Sequence, residues 1–168
     1  ASLAAAARRA STGNMSDRQS SAGLVVQSDL LGTLELSEEQ VIEFGAGLLG
    51  FPECQRFALV PAAREGTWWL QSLDHATLAF LLVDPFVAFD GFTVDLGPTE
   101  RFALGVQDPS DVMVLAIVTL PGAAGGQPTA NLQAPIVFNV PRRRAQQMVI
   151  EGRYGMREAF AVERLPKR

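Results

Sequence analysis

Val112-Met113-Val114-Leu115-Ala116-Ile117-Val118-Thr119-Leu120 is apolar throughout save for one threonine, and it is rich in β-branched residues. Asp108-Pro109-Ser110-Asp111 precedes it and Pro121-Gly122 follows, both of them turn sequences. The run is well short of the ~20 residues that a membrane-spanning helix needs. Its punctuation and β-branched content instead predict a buried, central strand.

The sequence on either side repeats that grammar. Downstream, Pro121 to Pro128 carries Gly122, Gly125 and Gly126 and reads as a flexible loop. Pro135 to Val140 and Gln146 to Ile150 read as a closing pair of strands joined through Pro141-Arg142-Arg143-Arg144. Upstream, Leu24-Val25-Val26 opens the first strand, Asp29-Leu30-Leu31-Gly32 is a turn, and Thr33-Leu34-Glu35-Leu36 alternates as a half-buried strand should. Ser37-Glu38-Glu39-Gln40 has the form of a capping box and predicts one short helical turn before Val41-Ile42-Glu43-Phe44. Strands recur at Arg56 to Val60, Thr67 to Ser72 and Leu78 to Val83, parted by Pro61, Gly66 and Asp74. Asp84-Pro85 ends the third, because proline cannot donate to a ladder. Phe86, Phe89 and Phe92 read as core. Gly97-Pro98-Thr99-Glu100 starts a short helix, with proline at its first position. Many short strands with frequent turns and little helical patterning give an all-β barrel or sandwich. Residues 1 to 22 read as a disordered tail, in which Met15 is the expected natural start and the Ala-rich piece before it a cloning remnant or an alternative upstream start. The domain is expected over residues 23–160, and 161–168 is expected to fray.

Composition narrows the function. The chain has 168 residues, 48% of them hydrophobic and 19% charged, which suits a single packed domain. Its net charge of −4 is unevenly spread: fourteen acids face three bases between Asp29 and Asp111, while eight bases face three acids from Arg142 to Arg168. An acidic body with basic ends is a poor surface for nucleic acid and a better one for a basic protein. Glu38, Glu39 and Glu43 are the candidate acidic edge; their plain role is to support the capped turn and keep the domain soluble.

Catalytic chemistry finds little material. Cys54 is the only cysteine and His75 the only histidine, so no internal disulfide forms and too few N/S ligands are present for a usual zinc site. Gly45-Ala46-Gly47-Leu48-Leu49-Gly50 lacks the lysine and following helix of a phosphate cradle, and its glycines read as positive-φ positions. No carboxylate pair is evident. The chain therefore reads as a non-enzyme without cofactor or metal. Arg142-Arg143-Arg144 is the one dense basic run, and without interleaved aromatics it reads as a solvated turn before it reads as an RNA site. Trp68-Trp69 sit on one strand and point to opposite faces, one to the core and one toward a surface.

Three segments carry a more specific signal: Gly47-Leu48-Leu49-Gly50-Phe51-Pro52, Trp69-Leu70-Gln71-Ser72, and Asn131-Leu132-Gln133-Ala134-Pro135-Ile136-Val137-Phe138-Asn139-Val140. In that order they resemble the flagellar assembly factor family called FliW. Asp84-Pro85, Val112 to Thr119, Gln146 to Ile150 and Tyr154-Gly155-Met156-Arg157 extend the likeness from about Val25 to Phe160. The resemblance implies a compact, mostly antiparallel β pseudo-barrel with one or two short helical turns. It implies a cytoplasmic chaperone-like regulator, monomeric when free. Its implied partners are the translational repressor CsrA and flagellin, with no direct contact to nucleic acid or membrane. Bound to CsrA, such a protein relieves repression of flagellin messenger RNA, and flagellin competes for it, coupling synthesis to export. On this reading the candidate contact residues are Trp68, Gln71, Asn131, Gln133 and Pro135, together with Glu38, Glu39 and Glu43. The three motif residues Asn131, Gln133 and Pro135 also have a structural reading, backbone satisfaction at a strand entry. The amino-terminal extension, the glycine-rich loop 121–128 and the Glu158-Ala159-Phe160 ending depart from the family pattern. The other reading is a small β-barrel that binds a ligand or RNA through its basic carboxy-terminal end.

Overall fold

The computed structural model describes residues 23–168, and the amino-terminal tail expected over 1–22 lies outside the described residues. The strands are β1 (Leu24–Ser28), β2 (Gly32–Leu36), β3 (Val41–Phe44), β4 (Arg56–Pro61), β5 (Thr67–Ser72), β6 (Ala79–Val83), β7 (Val112–Thr119), β8 (Thr129–Ala130), β9 (Ile136–Asn139), β10 (Arg144–Gln147) and β11 (Glu158–Ala159). The short helices are α1 (Pro85–Ala88) and α2 (Pro98–Leu104). β1 and β2 form a separate hairpin. Strands β3 to β7 pair antiparallel in sequence order, β7 pairs with β9, β9 with β10, and β10 with β3, which closes a seven-stranded barrel. The β10–β3 seam is its one parallel junction.

The apolar run at 112–120 supplies β7, and its lack of alternation has a simple cause. Both faces are buried. Leu115 points into the barrel with Ile42, Phe44, Phe57, Leu70, Ile136 and Phe138, and Met113 and Ile117 pack against that group. Val112, Val114 and Ala116 point outward into a second core, made by α1, the segment Phe92–Leu96, Leu104, Leu132 and Phe160. Phe86 and Phe92 are buried there with ring centroids 5.1 Å apart, and Phe89 meets Phe160 at 5.6 Å, so the core reading of the three phenylalanines holds.

Local signals set the element ends. The Ser37 N–H donates to Gln40 Oε1 at 3.0 Å, the reach-back half of a capping box, and a 3₁₀ turn follows at Glu38–Gln40. α1 starts where the sequence predicted only a strand end: Asp84 Oδ1 accepts the Phe86 N–H at 2.8 Å and Pro85 occupies the first helical position. α2 begins at Pro98 as expected and stops at Gly105 in the left-handed region.

The closing pair is displaced. The turn ends at Arg143, whose φ of 53° is left-handed, so Arg144 already belongs to β10 and the strand ends at Gln147. Met148 and Ile150 prolong the pairing with single bonds, their N–H groups donating to Pro135 O and Gln133 O at 3.0 and 2.7 Å. The expected fraying of 161–168 is also corrected. Leu165 is 3% exposed, and the Glu65 N–H donates to Pro166 O at 3.1 Å. Arg64 Nη1 holds Leu165 O at 3.1 Å while Arg168 Nε returns to Arg64 O at 3.2 Å. One buried leucine and this ring of bonds outweigh a polar composition.

Candidate functional site

Where α2 overhangs the parallel seam, the surface holds a groove of about 600 Å³. Glu43, Phe44, Gly47, Leu104, Arg144 and Ala145 contribute to its walls. The overhang is fixed by Asn139, which is buried: its Nδ2 donates to Leu104 O at 2.8 Å, and its Oδ1 accepts the Arg142 N–H at 3.3 Å. Beside the groove, Phe102 on α2 is 90% exposed, an unusual cost in apolar hydration for a side chain of this size. Isolated exposed aromatics of this kind are common anchors in protein interfaces.

The acidic edge lies at the same seam, and it is not purely acidic. Glu38, Glu39 and Glu43 are all exposed at the surface. The chain folds its basic run back onto them: Arg143 Nη1 donates to Glu38 O at 2.7 Å, and Arg144 stands opposite Glu43 in the parallel register. Acids and bases that are far apart in sequence thus share one edge. Arg142 packs its guanidinium end close over Gly105. Two of the three arginines of the run are therefore engaged with neighbouring backbone.

The tryptophan pair resolves by parity. Trp68 lies on the Leu70 face of β5 and packs against the barrel core, so it is the inward member. Trp69 faces outward, directly between Val60 of β4 and Leu81 of β6, and all three are half-buried. Of the two rings Trp69 is therefore the outward one, which alternation alone does not decide, since it says that the two part and not which goes inside. Gln71 is wholly buried, which removes it from any contact surface. Its Nε2 lies 3.0–3.4 Å from the carbonyls of Ser72, His75, Ala76 and Leu78 and so staples the loop between β5 and β6. Among the described residues its Oε1 has no hydrogen-bond partner.

The Asn131–Pro135 motif is a five-residue excursion. β8 and β9 run antiparallel to successive parts of β7, yet between them β7 advances by only Ala116 and Ile117. The extra residues are satisfied locally. Asn131 Oδ1 accepts the Ala134 N–H at 3.0 Å, the Leu132 and Gln133 N–H groups both reach Gly155 O at 3.1 Å, and Gln147 Nε2 donates to Ala134 O at 2.9 Å. Asn131 and Gln133 are half-buried and Pro135 is buried. These bonds support the structural reading of the amides.

Cys54 and His75 approach one another, which their separation in sequence hides. The thiol is buried, and that burial pushes its pKa up; the Ser72 hydroxyl pulls it down, and the nearby Glu53 and Asp74 carboxylates push it up again. Nucleophilic catalysis needs the opposite, an exposed thiol with a depressed pKa.

The fold and these segments find their match among known proteins. The family model described as FliW protein matches residues 25–160. The chain belongs to the FliW family. The flagellar assembly factor FliW of Treponema denticola is 33% identical over 139 residues, covering 82% of this chain and 94% of that protein. The FliW of Moorella thermoacetica is 36% identical over 128 residues, covering 76% of this chain and 81% of its own. A crystal structure of the flagellar assembly factor FliW superimposes with a TM-score of 0.73 at 30% identity, covering 83% of this chain and 99% of that one. The barrel, the mostly antiparallel topology and the sparse helix are those of the FliW fold. Among the described residues no helix is long and apolar enough to cross a membrane.

Proposed function

We propose that this chain is a cytoplasmic regulator of flagellar assembly that acts by binding proteins, with CsrA and flagellin as alternating partners. The observation that carries the proposal is membership of the FliW family over residues 25–160, whose relatives are flagellar assembly factors by name. The surface is compatible with such a role. Exposed Phe102 and the Val60–Trp69–Leu81 row supply apolar contacts, and the groove could receive an amphipathic helix such as flagellin termini provide. On this reading, binding to CsrA relieves repression of flagellin messenger RNA, and accumulated flagellin withdraws the regulator. It requires no catalysis and no cofactor.

Calorimetric titration with CsrA and with flagellin from the same organism tests the proposal. The expected result is binding to each, with displacement of one by the other. Silence from both at high concentration would leave a family member without the proposed activity. Charge reversal of Glu38, Glu39 and Glu43 to lysine should slow CsrA association by roughly 3- to 10-fold at low salt and much less at high salt. An unchanged low-salt on-rate would take the acidic edge out of the encounter.

The RNA-binding reading rests on the basic carboxy-terminal residues, and their contacts weigh against it. Arg143 holds Glu38 O, Arg164 pairs with Asp90, and Arg168 holds Arg64 O and Thr67 O. We expect no salt-sensitive binding to flagellin messenger RNA. Binding that falls steeply with salt, and is lost when Arg142, Arg143 and Arg144 become alanine, would reverse that preference.

A further inference from the structure

The chain's only thiol and only imidazole come together at one end of the barrel, with a carboxylate beside them. Ligand atoms of Glu53, Cys54 and His75 all lie within 4.8 Å of one another. Cys54 Sγ is 3.9 Å from Glu53 Oε1. We propose that Glu53, Cys54 and His75 form a three-ligand binding site for zinc, a function separate from the protein-binding surface.

The donor set selects the metal. Thiolate, imidazole and carboxylate together match the borderline-soft preference of zinc, whereas magnesium and calcium would want oxygen alone. Zinc bonds of about 2.3 Å to sulfur and 2.0–2.2 Å to nitrogen and oxygen place tetrahedral ligands roughly 3.3–3.6 Å apart. The sulfur–carboxylate pair is already near that spacing. The remaining closure, on the order of 1 Å, falls to the side chains free to move, because Glu53 and His75 are exposed while Cys54 is buried. Three protein ligands leave the fourth position open for water, or for a carboxylate such as the neighbouring Asp74.

The backbone around the site is held before any metal arrives. Ser72 Oγ accepts the N–H groups of Asp74 and His75, each at 3.1 Å. Gln71 Nε2 lies 3.2 Å from His75 O. On the other side the Cys54 N–H donates to Phe51 O at 3.1 Å. Prior fixation of ligands by second contacts is what lowers the ordering cost of coordination. A bound ion would tie the loop before β4, whose glycines line the groove, to the loop between β5 and β6.

The test uses the full chain stripped with chelator and titrated with cobalt(II), then zinc. The expected result is a thiolate-to-cobalt charge-transfer band saturating at one equivalent and bleached by zinc. His75→Ala and Glu53→Gln should each weaken cobalt affinity by roughly 10-fold or more. Cys54→Ser should abolish the band. Because Cys54 is buried, the deciding variant is His75→Ala, at an exposed position where the truncation keeps the fold. Absence of the band in excess cobalt overturns the proposal. So does a band whose affinity is unchanged in His75→Ala, since the thiol would then be acting alone. Because the readout is metal spectroscopy, failure here leaves the regulator reading untouched.

Discussion

Phe138→Ala lowers the unfolding free energy by about 3–5 kcal/mol, the cost of emptying an aromatic site in a packed core. Phe138 is 0% exposed and sits on β9 between Met113 of β7 and Ala145 of β10. Its ring meets Phe44 edge-on at 6.1 Å, and Phe44 meets Phe57 at 5.0 Å. These rings come from β3, β4 and β9, so the cavity would open beside the parallel seam, where β10 and β3 share only two register pairs. Against a typical total of ~5–15 kcal/mol the loss is severe. A thermal melt should fall by roughly 10 °C or more. Phe102→Ala is the matched control: the same truncation at a ring 90% exposed should move stability by no more than about 0.5 kcal/mol. If Phe138→Ala melted with the parent, the barrel interior would not be packed as described. If Phe102→Ala left stability intact but weakened partner binding, the exposed ring would be placed in an interface.

The same contrast between buried and exposed governs how much of the fold is legible in the chain. Continuous apolar runs declare themselves: β7 and β9 are buried on two faces, and their sequences carry no polar alternation to confuse the reading. Turn chemistry is equally readable at Pro98 and Ser37, while Asp84-Pro85 declares the end of β6 but not the helix that it caps. What escapes is decided by distant partners. Arg144 is a strand residue because Glu43, about a hundred positions earlier, gives it a parallel neighbour, and nothing local marks an arginine for that role. Leu165 secures the carboxy terminus by entering the second core, the one buried residue between 161 and 168.

The site divides along the same line. The motif segments resembling FliW are visible as a pattern, yet the structure gives several of their residues internal work. Gln71 holds a loop, Asn131 closes a turn, and Pro135 is buried. In a small barrel the bonds of irregular backbone must be met by side chains such as these. The groove, exposed Phe102 and the Glu53–Cys54–His75 cluster have no sequence signature at all. They arise where segments meet in space.

Gly47→Ala is expected to destabilise the protein more than Gly50→Ala, although the two glycines are three positions apart in one loop and both have positive φ, 69° and 88°. An alanine pays about 1–2 kcal/mol for the left-handed region at either position. At Gly50 a Cβ would meet nothing within 4 Å, so the backbone penalty is the whole effect. At Gly47 it would come 2.6 Å from both Phe51 O and Pro52 O and 2.7 Å from Pro52 Cα. All three are main-chain atoms, so no rotamer change relieves the contact, and the loop itself must shift. The Phe51 N–H bond to Leu48 O at 2.8 Å and the Cys54 N–H bond to Phe51 O hold that loop closed. Opening it would pull on Leu48 and Cys54 in the barrel core and on the groove wall that Gly47 lines. We expect a total cost of about 2–4 kcal/mol for Gly47→Ala, read as a lowered denaturant midpoint at unchanged slope. Equal midpoints for the two variants would mean that the loop yields freely, and that the crowding at Gly47 contributes nothing to holding this end of the barrel.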